Sequence, residues 1–178
     1  MERTKHFKSY AFAIAGVLLL TLIDQYTKLL AIQRLKGQPP YIIIQDVFQL
    51  TYVENRGAAF GLLQGQRTFF LITGMLVLLA IILLYVVTVD RDQYRPLRIC
   101  SLFVAAGAIG NTIDRVRNGF VVDFFYFELI NFPVFNVADI YITVSMIMLS
   151  ILILFKYKEE DLKLSVLLEG RSRKNQSS

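Results

Sequence analysis

Residues 68–89 read TFFLITGMLVLLAIILLYVVTV, 22 positions without one charged side chain. A helix of about 20 apolar residues crosses a bilayer core, so this stretch sets the fold class. Working outward, three further apolar stretches fall at 10–32, 97–113 and 135–155. The first is apolar up to Asp24 and then carries Asp24 and Lys28. The third is short and ends at Asn111 and Asp114, and the last holds one charge, Asp139, near its start. The reading is an all-α membrane protein with four transmembrane helices in residues 1–157, followed by a charged tail, 158–178, that reads as disordered. Basic residues ahead of the first run suggest a signal peptide. That run is long, however, no small-residue cleavage site is evident and three more spans follow, so it reads as an uncleaved span.

Composition agrees. Of 178 residues, 55% are apolar and 19% charged, and the mean hydropathy is +0.52; soluble domains carry about 25% charge. His6 and Cys100 are the only residues of their types. That excludes a disulfide framework, a His/Cys metal site, Ser-His-Asp catalysis and Cys-His catalysis; Cys100 reads as an inert membrane thiol. The net charge of +5 belongs to loops flanking spans rather than to a nucleic-acid surface.

Those loops orient the chain. Arg3, Lys5, Lys8, Arg91, Arg95, Arg98 and the tail residues Lys156, Lys158, Lys163, Arg171, Arg173 and Lys174 put twelve basic residues on one side. Arg34, Lys36, Arg56, Arg67, Arg115 and Arg117 put six on the other. Positive charge stays inside, so both termini face the cytoplasm and loops 33–67 and 114–134 face outward. The first loop contains YIIIQDVFQLTYV at 41–53, whose β-branched and aromatic residues in partial alternation read as a strand or hairpin, a small β-rich extracytoplasmic element. The second contains FVVDFFYFELINFPVF at 120–135, an aromatic density that suggests backbone packed at the membrane surface.

Charge inside a span is costly and tends to mark function. Asp24, Lys28, Asn111, Asp114, Arg115, Asp123, Asn136 and Asp139 all fall near the outer interface in this topology. Asp24 and Lys28, four apart on a helix, can pair. Asp114 and Arg115 serve equally as interfacial charges that organise the loop. In ENRGAAFG, Asn55, Arg56 and Gly57 fit a simple turn before the second span or a site that binds backbone. Gly57 and Gly61 have the GxxxG spacing but precede the span, which makes a helix-dimer seam a weak reading. Gly107 and Gly110, among Ala105, Ala106 and Ala108, give the third span a small face for close helix packing.

Asp123 in VVDFF and Asp139 in NVADIYITV have apolar surroundings and no cation nearby in sequence. Two such carboxylates at one depth can share a proton, the arrangement that peptide hydrolysis by acid–base catalysis uses. The same pair would also serve as a proton relay or counter-ion in a transporter. A transporter places its polar groups near the midplane and often shows internal repeats, whereas these gather at one interface and no repeat is visible.

Five blocks in order carry a resemblance: Asp24-Gln-Tyr-Thr-Lys28, Asn55-Arg-Gly-Ala-Ala-Phe-Gly61, Gly110-Asn-Thr-Ile-Asp-Arg115, Val121-Val-Asp-Phe124 and Phe135-Asn-Val-Ala-Asp139. The chain resembles bacterial lipoprotein signal peptidase, or signal peptidase II. The resemblance implies an aspartic endopeptidase of the bacterial cytoplasmic membrane. Such an enzyme removes the signal peptide from diacylglyceryl-modified prolipoproteins by cutting just before the lipidated cysteine. Asp123 and Asp139 would be the catalytic pair, and Asn111, Arg115 and Asn136 would orient the pair or the substrate backbone. Asn55, Arg56 and Gly57 would meet the substrate, while Asp24, Lys28, Gly110 and Asp114 would support the pocket. It further implies no metal, no cofactor, no nucleic acid, and a single bundle acting as a monomer among membrane lipids. The β-rich outward loop is expected to lie on the membrane and clamp the substrate.

Overall fold

The computed structural model describes residues 2–57, 63–89 and 91–162. Four long helices dominate: α1 (Glu2–Leu35), α2 (Arg67–Thr88), α3 (Arg95–Asn118) and α4 (Val137–Phe155). All four are long and apolar enough to cross a membrane. They are not equivalent. In α3, 56% of the most apolar stretch is buried within the protein, against 11%, 6% and 11% for α1, α2 and α4. α3 packs against each of the other three. The outer three keep apolar faces exposed, among them Leu18 and Leu22 on α1, Leu76 and Leu79 on α2, and Ile147 and Leu154 on α4. A helix that exposes so much apolar surface is suited to lipid.

Close approach to α3 requires its small residues. A side chain on Gly107 would run into the Ala138 carbonyl oxygen at 2.5 Å and Ile142 Cγ1 at 2.8 Å. A side chain on Gly110 would collide with the carboxylate of Asp24. The small face expected of this span therefore holds α4 and α1 against it.

Three strands form an antiparallel sheet in the order β1 (Tyr41–Ile44), β2 (Phe48–Asn55), β3 (Val121–Phe127). The first two are the hairpin anticipated in loop 33–67. The third comes from loop 114–134, where no strand was expected, and its first four residues are all buried. A strand covered on both faces shows no alternation, which is why VVDF did not announce itself. Phe135 extends the pairing, bridging to Phe125. The sheet connects to the C-terminal ends of α1 and α3 and the N-terminal ends of α2 and α4, so it occupies one end of the bundle.

The helices overrun the expected spans, and α1 covers Glu2–Leu35 rather than 10–32. The third span was expected to stop at 113 because Asn111 and Asp114 are polar; α3 instead continues to Asn118, since both side chains are buried and partnered inside the protein. It ends at Gly119, whose φ of 80° gives the left-handed cap that glycine adopts without strain. Glu159–Leu162 form a short helix, α5, at the start of the tail read as disordered. Asp161 Oδ2 accepts from the Lys158 amide at 3.0 Å, and its carbonyl accepts from Tyr94 at 2.7 Å. The rest of the tail, and Gly61 of the ENRGAAFG block, lie outside the described residues.

Gly107→Ala is expected to lower stability by roughly 1–3 kcal/mol, the usual cost of overpacking, as a fall in the thermal unfolding midpoint in detergent. Gly16→Ala has open space around the added carbon and should leave the midpoint unchanged or raise it.

Candidate active site

The site begins with the start of α4. Asn136 is its N-cap, and its side-chain oxygen accepts from the Asp139 amide at 3.0 Å. Asp139 Oδ2 accepts in return from the Asn136 amide at 3.2 Å. This reciprocal capping box satisfies two amides that no helical carbonyl can reach. It also fixes Asp139 in the first turn, where helix amides favour negative charge. Asp139 Oδ1 accepts from Asn111 Nδ2 on α3 at 2.8 Å.

Asp123 faces the same cap from β3. Its Oδ1 accepts from Asn136 Nδ2 at 2.6 Å and its Oδ2 from Asn55 Nδ2 at 2.8 Å. Asn55 reaches it because β2 and β3 pair Val53 with Asp123 and Asn55 with Val121, which makes Asn55 a diagonal neighbour on the same face. The Asn55 amide oxygen is itself fixed by the Gly57 amide at 2.9 Å. Asp123 is 1% exposed, while Asp139 is half-buried. Burial drives the Asp123 carboxyl upward and the charge of Asp139 pushes the same way. The amides of Asn55 and Asn136 pull it back, and the balance is about 7.

Behind the pair lies an ion cluster. The Lys28 ammonium has three acceptors for its three N–H groups: Asp24 Oδ2 at 2.9 Å, Asp114 Oδ2 at 3.1 Å and Asn111 Oδ1 at 2.9 Å. All four groups are buried. Asp24 Oδ1 accepts from the Ala138 amide at 3.0 Å, and Asp114 Oδ2 from the Val122 amide at 3.1 Å. The cluster thereby ties α1 and α3 to α4 and β3. Gly110 belongs here too, as the gap that lets Asp24 reach Ala138.

The carboxylates open on a cleft of about 600 Å³, lined by Asn55, Gly57, Asn111 and Arg115 and by an apolar wall that includes Phe135 and Val144. Arg115 lies 4.5 Å over the Phe70 ring and donates to the carbonyls of Asn111 and Gly57, each at 3.5 Å. It thus links α2, α3 and the loop after β2.

The structure brings Asn55, Gly57, Asn111, Arg115, Asp123, Asn136 and Asp139 together around the cleft or its frame, with Asp24, Lys28, Gly110 and Asp114 behind it. It does not bring Arg56 there. The Arg56 side chain is 63% exposed, 3.5 Å from Glu54 and 5.6 Å over the Phe120 ring. Sequence reasoning missed Phe70, an ordinary aromatic within a span, and Gln25. The Gln25 amide lies within hydrogen-bonding distance of Asp24, Asp114 and the Gly110 carbonyl. A glutamine in a span is a polar signal, but it sits beside the louder Asp24. Among the described residues no group of three or more His, Cys, Asp or Glu converges as a metal site requires. Two carboxylates on one amide frame, one of them buried and proton-retaining, can carry out general acid–base chemistry.

The model of the signal peptidase (SPase) II family matches residues 16–155. A lipoprotein signal peptidase of Caldanaerobacter subterraneus subsp. tengcongensis is 43% identical over 145 residues, covering 81% of this chain and 97% of that relative. One of Clostridioides difficile is 42% identical over 139 residues, covering 78% and 92%. A solved bacterial membrane enzyme, determined by the in meso method, superposes with a TM-score of 0.70 at 30% identity, covering 86% of this chain and 95% of its own. With most of its length matched by the family model and by relatives above 40% identity, the chain belongs to the signal peptidase II family.

Proposed function

We propose that this protein is a membrane-embedded aspartic endopeptidase. In this reading it removes the signal peptide from diacylglyceryl-modified prolipoproteins by cutting just before the lipidated cysteine. The observation that carries the reading is the placement of Asp123 and Asp139 on one cleft, joined through Asn136, where four spans meet a small sheet. The charge asymmetry of the loops supports a cytoplasmic-membrane location with both termini inside and the sheet and cleft outside. A signal peptide's apolar helix and the acyl chains of the modified cysteine both partition into the bilayer. They deliver the scissile bond to the interface, and the apolar wall of the cleft suits what they bring.

Asp139, the more open carboxylate, takes a proton from water as that water attacks the scissile carbonyl carbon. Asp123, which burial lets hold its proton up to about pH 7, gives that proton to the carbonyl oxygen as it gains charge. The tetrahedral intermediate then collapses: the C–N bond breaks, the amine leaves with the proton held by Asp139, and the intermediate's hydroxyl proton returns to Asp123. The signal peptide departs with a new carboxyl group and the lipidated cysteine with a free amine. The half-buried position of Asp139 favours it as the one that meets water. Asn111 and Asn136 hold the pair, Arg115 and Asn55 border the scissile segment, and Arg56, turned toward Glu54 and Phe120, takes no part in it. A single bundle contains every group the reaction uses, so a monomer suffices. Exposed apolar residues on β1, Tyr41 through Ile44, suit a sheet lying on the outer leaflet as a substrate clamp.

Asp123→Asn and Asp139→Asn keep shape and remove acid–base capacity. Each should lower turnover of a lipidated prolipoprotein by roughly 10²–10⁴-fold, while substrate binding, measured by co-purification, stays near wild type. Turnover close to wild type in either variant would end the catalytic assignment. The pH profile follows from Asp123: its proton is lost as pH rises through about 7. The acid is then gone, so kcat/KM should fall on the alkaline side of that value. A profile that keeps rising well beyond it would place the acid elsewhere.

A further inference from the structure

A second cleft, of about 440 Å³, opens between α1 and α3 and is lined by Gln25, Tyr26, Lys28, Asp114, Arg117 and neighbouring apolar residues. None of its lining residues borders the candidate active-site cleft. Gln25 is the neutral member of the ion cluster exposed there. Its Nε2 lies 3.2 Å from Asp24 Oδ2, 3.1 Å from Asp114 Oδ1 and 3.2 Å from the Gly110 carbonyl. One amide group therefore touches both carboxylates that grip Lys28 and the helix that carries Asn111.

The charge count explains what that contact does. Two carboxylates and one ammonium leave one formal negative charge in a buried place. Beside the Arg115 guanidinium, which acts on Asp114 through space, neutral donors spread it: the amides of Ala138 and Val122 and the side chain of Gln25. Without Gln25 the carboxylates would draw Lys28 more strongly. Its third bond, to Asn111 Oδ1, is the one it would give up. That bond keeps Asn111 Nδ2 turned toward Asp139. We propose that Gln25 is a positioning residue for the Asp123–Asp139 pair: it holds Asp24 and Asp114 on either side of Lys28, so that Lys28 stays bonded to Asn111. The inference rests on the hydrolytic reading above.

The charged and titratable groups around this point are Asp24, Tyr26 and Lys28 on α1, Asp114, Arg115 and Arg117 on α3, Asp123 on β3, and Asp139 and Tyr141 on α4. Lys28 acts on Asp123 through space and favours its ionised form. Loosening the cluster weakens that pull. Loss of neutral donors, or addition of a carboxylate, therefore moves Asp123 toward retaining its proton.

The test follows cleavage of a diacylglyceryl-modified prolipoprotein across pH by the full-length protein in lipid. Gln25→Met keeps the length and removes both donors. Gln25→Glu keeps the shape and adds a carboxylate, and it carries the same test should Gln25→Met fail to fold. Both should lower kcat about tenfold with KM within about twofold, since Gln25 does not border the substrate cleft. Both should also shift the alkaline limb upward by about half a pH unit or more, the glutamate further. A lowered melting temperature with limb and kcat unchanged would make Gln25 merely structural and overturn the proposal. Wild-type cleavage that is lost in Asp139→Asn, with Gln25 variants keeping the wild-type profile, defeats this inference alone. A folded wild type that does not cleave defeats the hydrolytic reading and this inference with it.

Discussion

The ammonium of Lys28 donates to Asn111 Oδ1 at 2.9 Å, and that bond decides which way the Asn111 amide faces. With its oxygen committed to Lys28 and to Asn136 Nδ2 at 3.2 Å, Asn111 has its nitrogen free for Asp139. Asn136, held by its own capping box, then turns its nitrogen to Asp123. Reversing the Asn111 amide would set donor against donor at Lys28 and acceptor against acceptor at Asp139. The orientation of both carboxylates is thus inherited from one buried cation. Burying an ammonium with two carboxylates is expensive, and removing one member of such a group costs about 3–5 kcal/mol because the others are left uncompensated. Only a complete network is tolerable, and completeness fixes α1, α3, α4 and β3 relative to one another.

That constraint also shapes the backbone. Gly110 is small because Asp24 passes it to reach the Ala138 amide. α3 runs beyond its apolar stretch because Asp114 must present one carboxylate to Lys28, Gln25 and the Val122 amide together. β3 is buried from its first residue because Val122 and Asp123 are both partners of the network. The opposite end of the bundle is held differently. The rings of Tyr94 and Tyr157 stack at 5.5 Å, and Arg98 donates to the carbonyls of Thr88 and Arg91.

Much of this was legible in the residues. The four spans follow from apolar length, and the Asp24–Lys28 pair from helical spacing. Asp123, Asn136 and Asp139 stood out because polar groups in apolar settings are costly and must be answered by partners. The hairpin of β1 and β2 showed in partial alternation. Other features were hidden for physical reasons. β3 is covered on both faces, so its pattern resembles any buried run. The end of α3 was misplaced because hydropathy registers Asn111 and Asp114 as polar and cannot register that a lysine 83 residues earlier in the chain is bonded to Asn111. Arg56 stood beside Asn55 in a shared block, yet it falls one residue past the end of β2 and turns to Glu54 and Phe120. Gln25 was overshadowed because a neutral amide carries no charge signal, although it touches both acids.

In the proposed reaction the lipid on the substrate matters as much as the carboxylates, because only a membrane-anchored cysteine brings its peptide bond to a cleft at the end of four spans. The most direct measurement offers the purified protein one prolipoprotein in two forms, with and without the diacylglyceryl group, and locates the cut by mass spectrometry. The expected result is a single cut immediately before the cysteine, in the lipidated form alone. Equal cleavage of both forms, a cut elsewhere, or no cut by a demonstrably folded protein would contradict it.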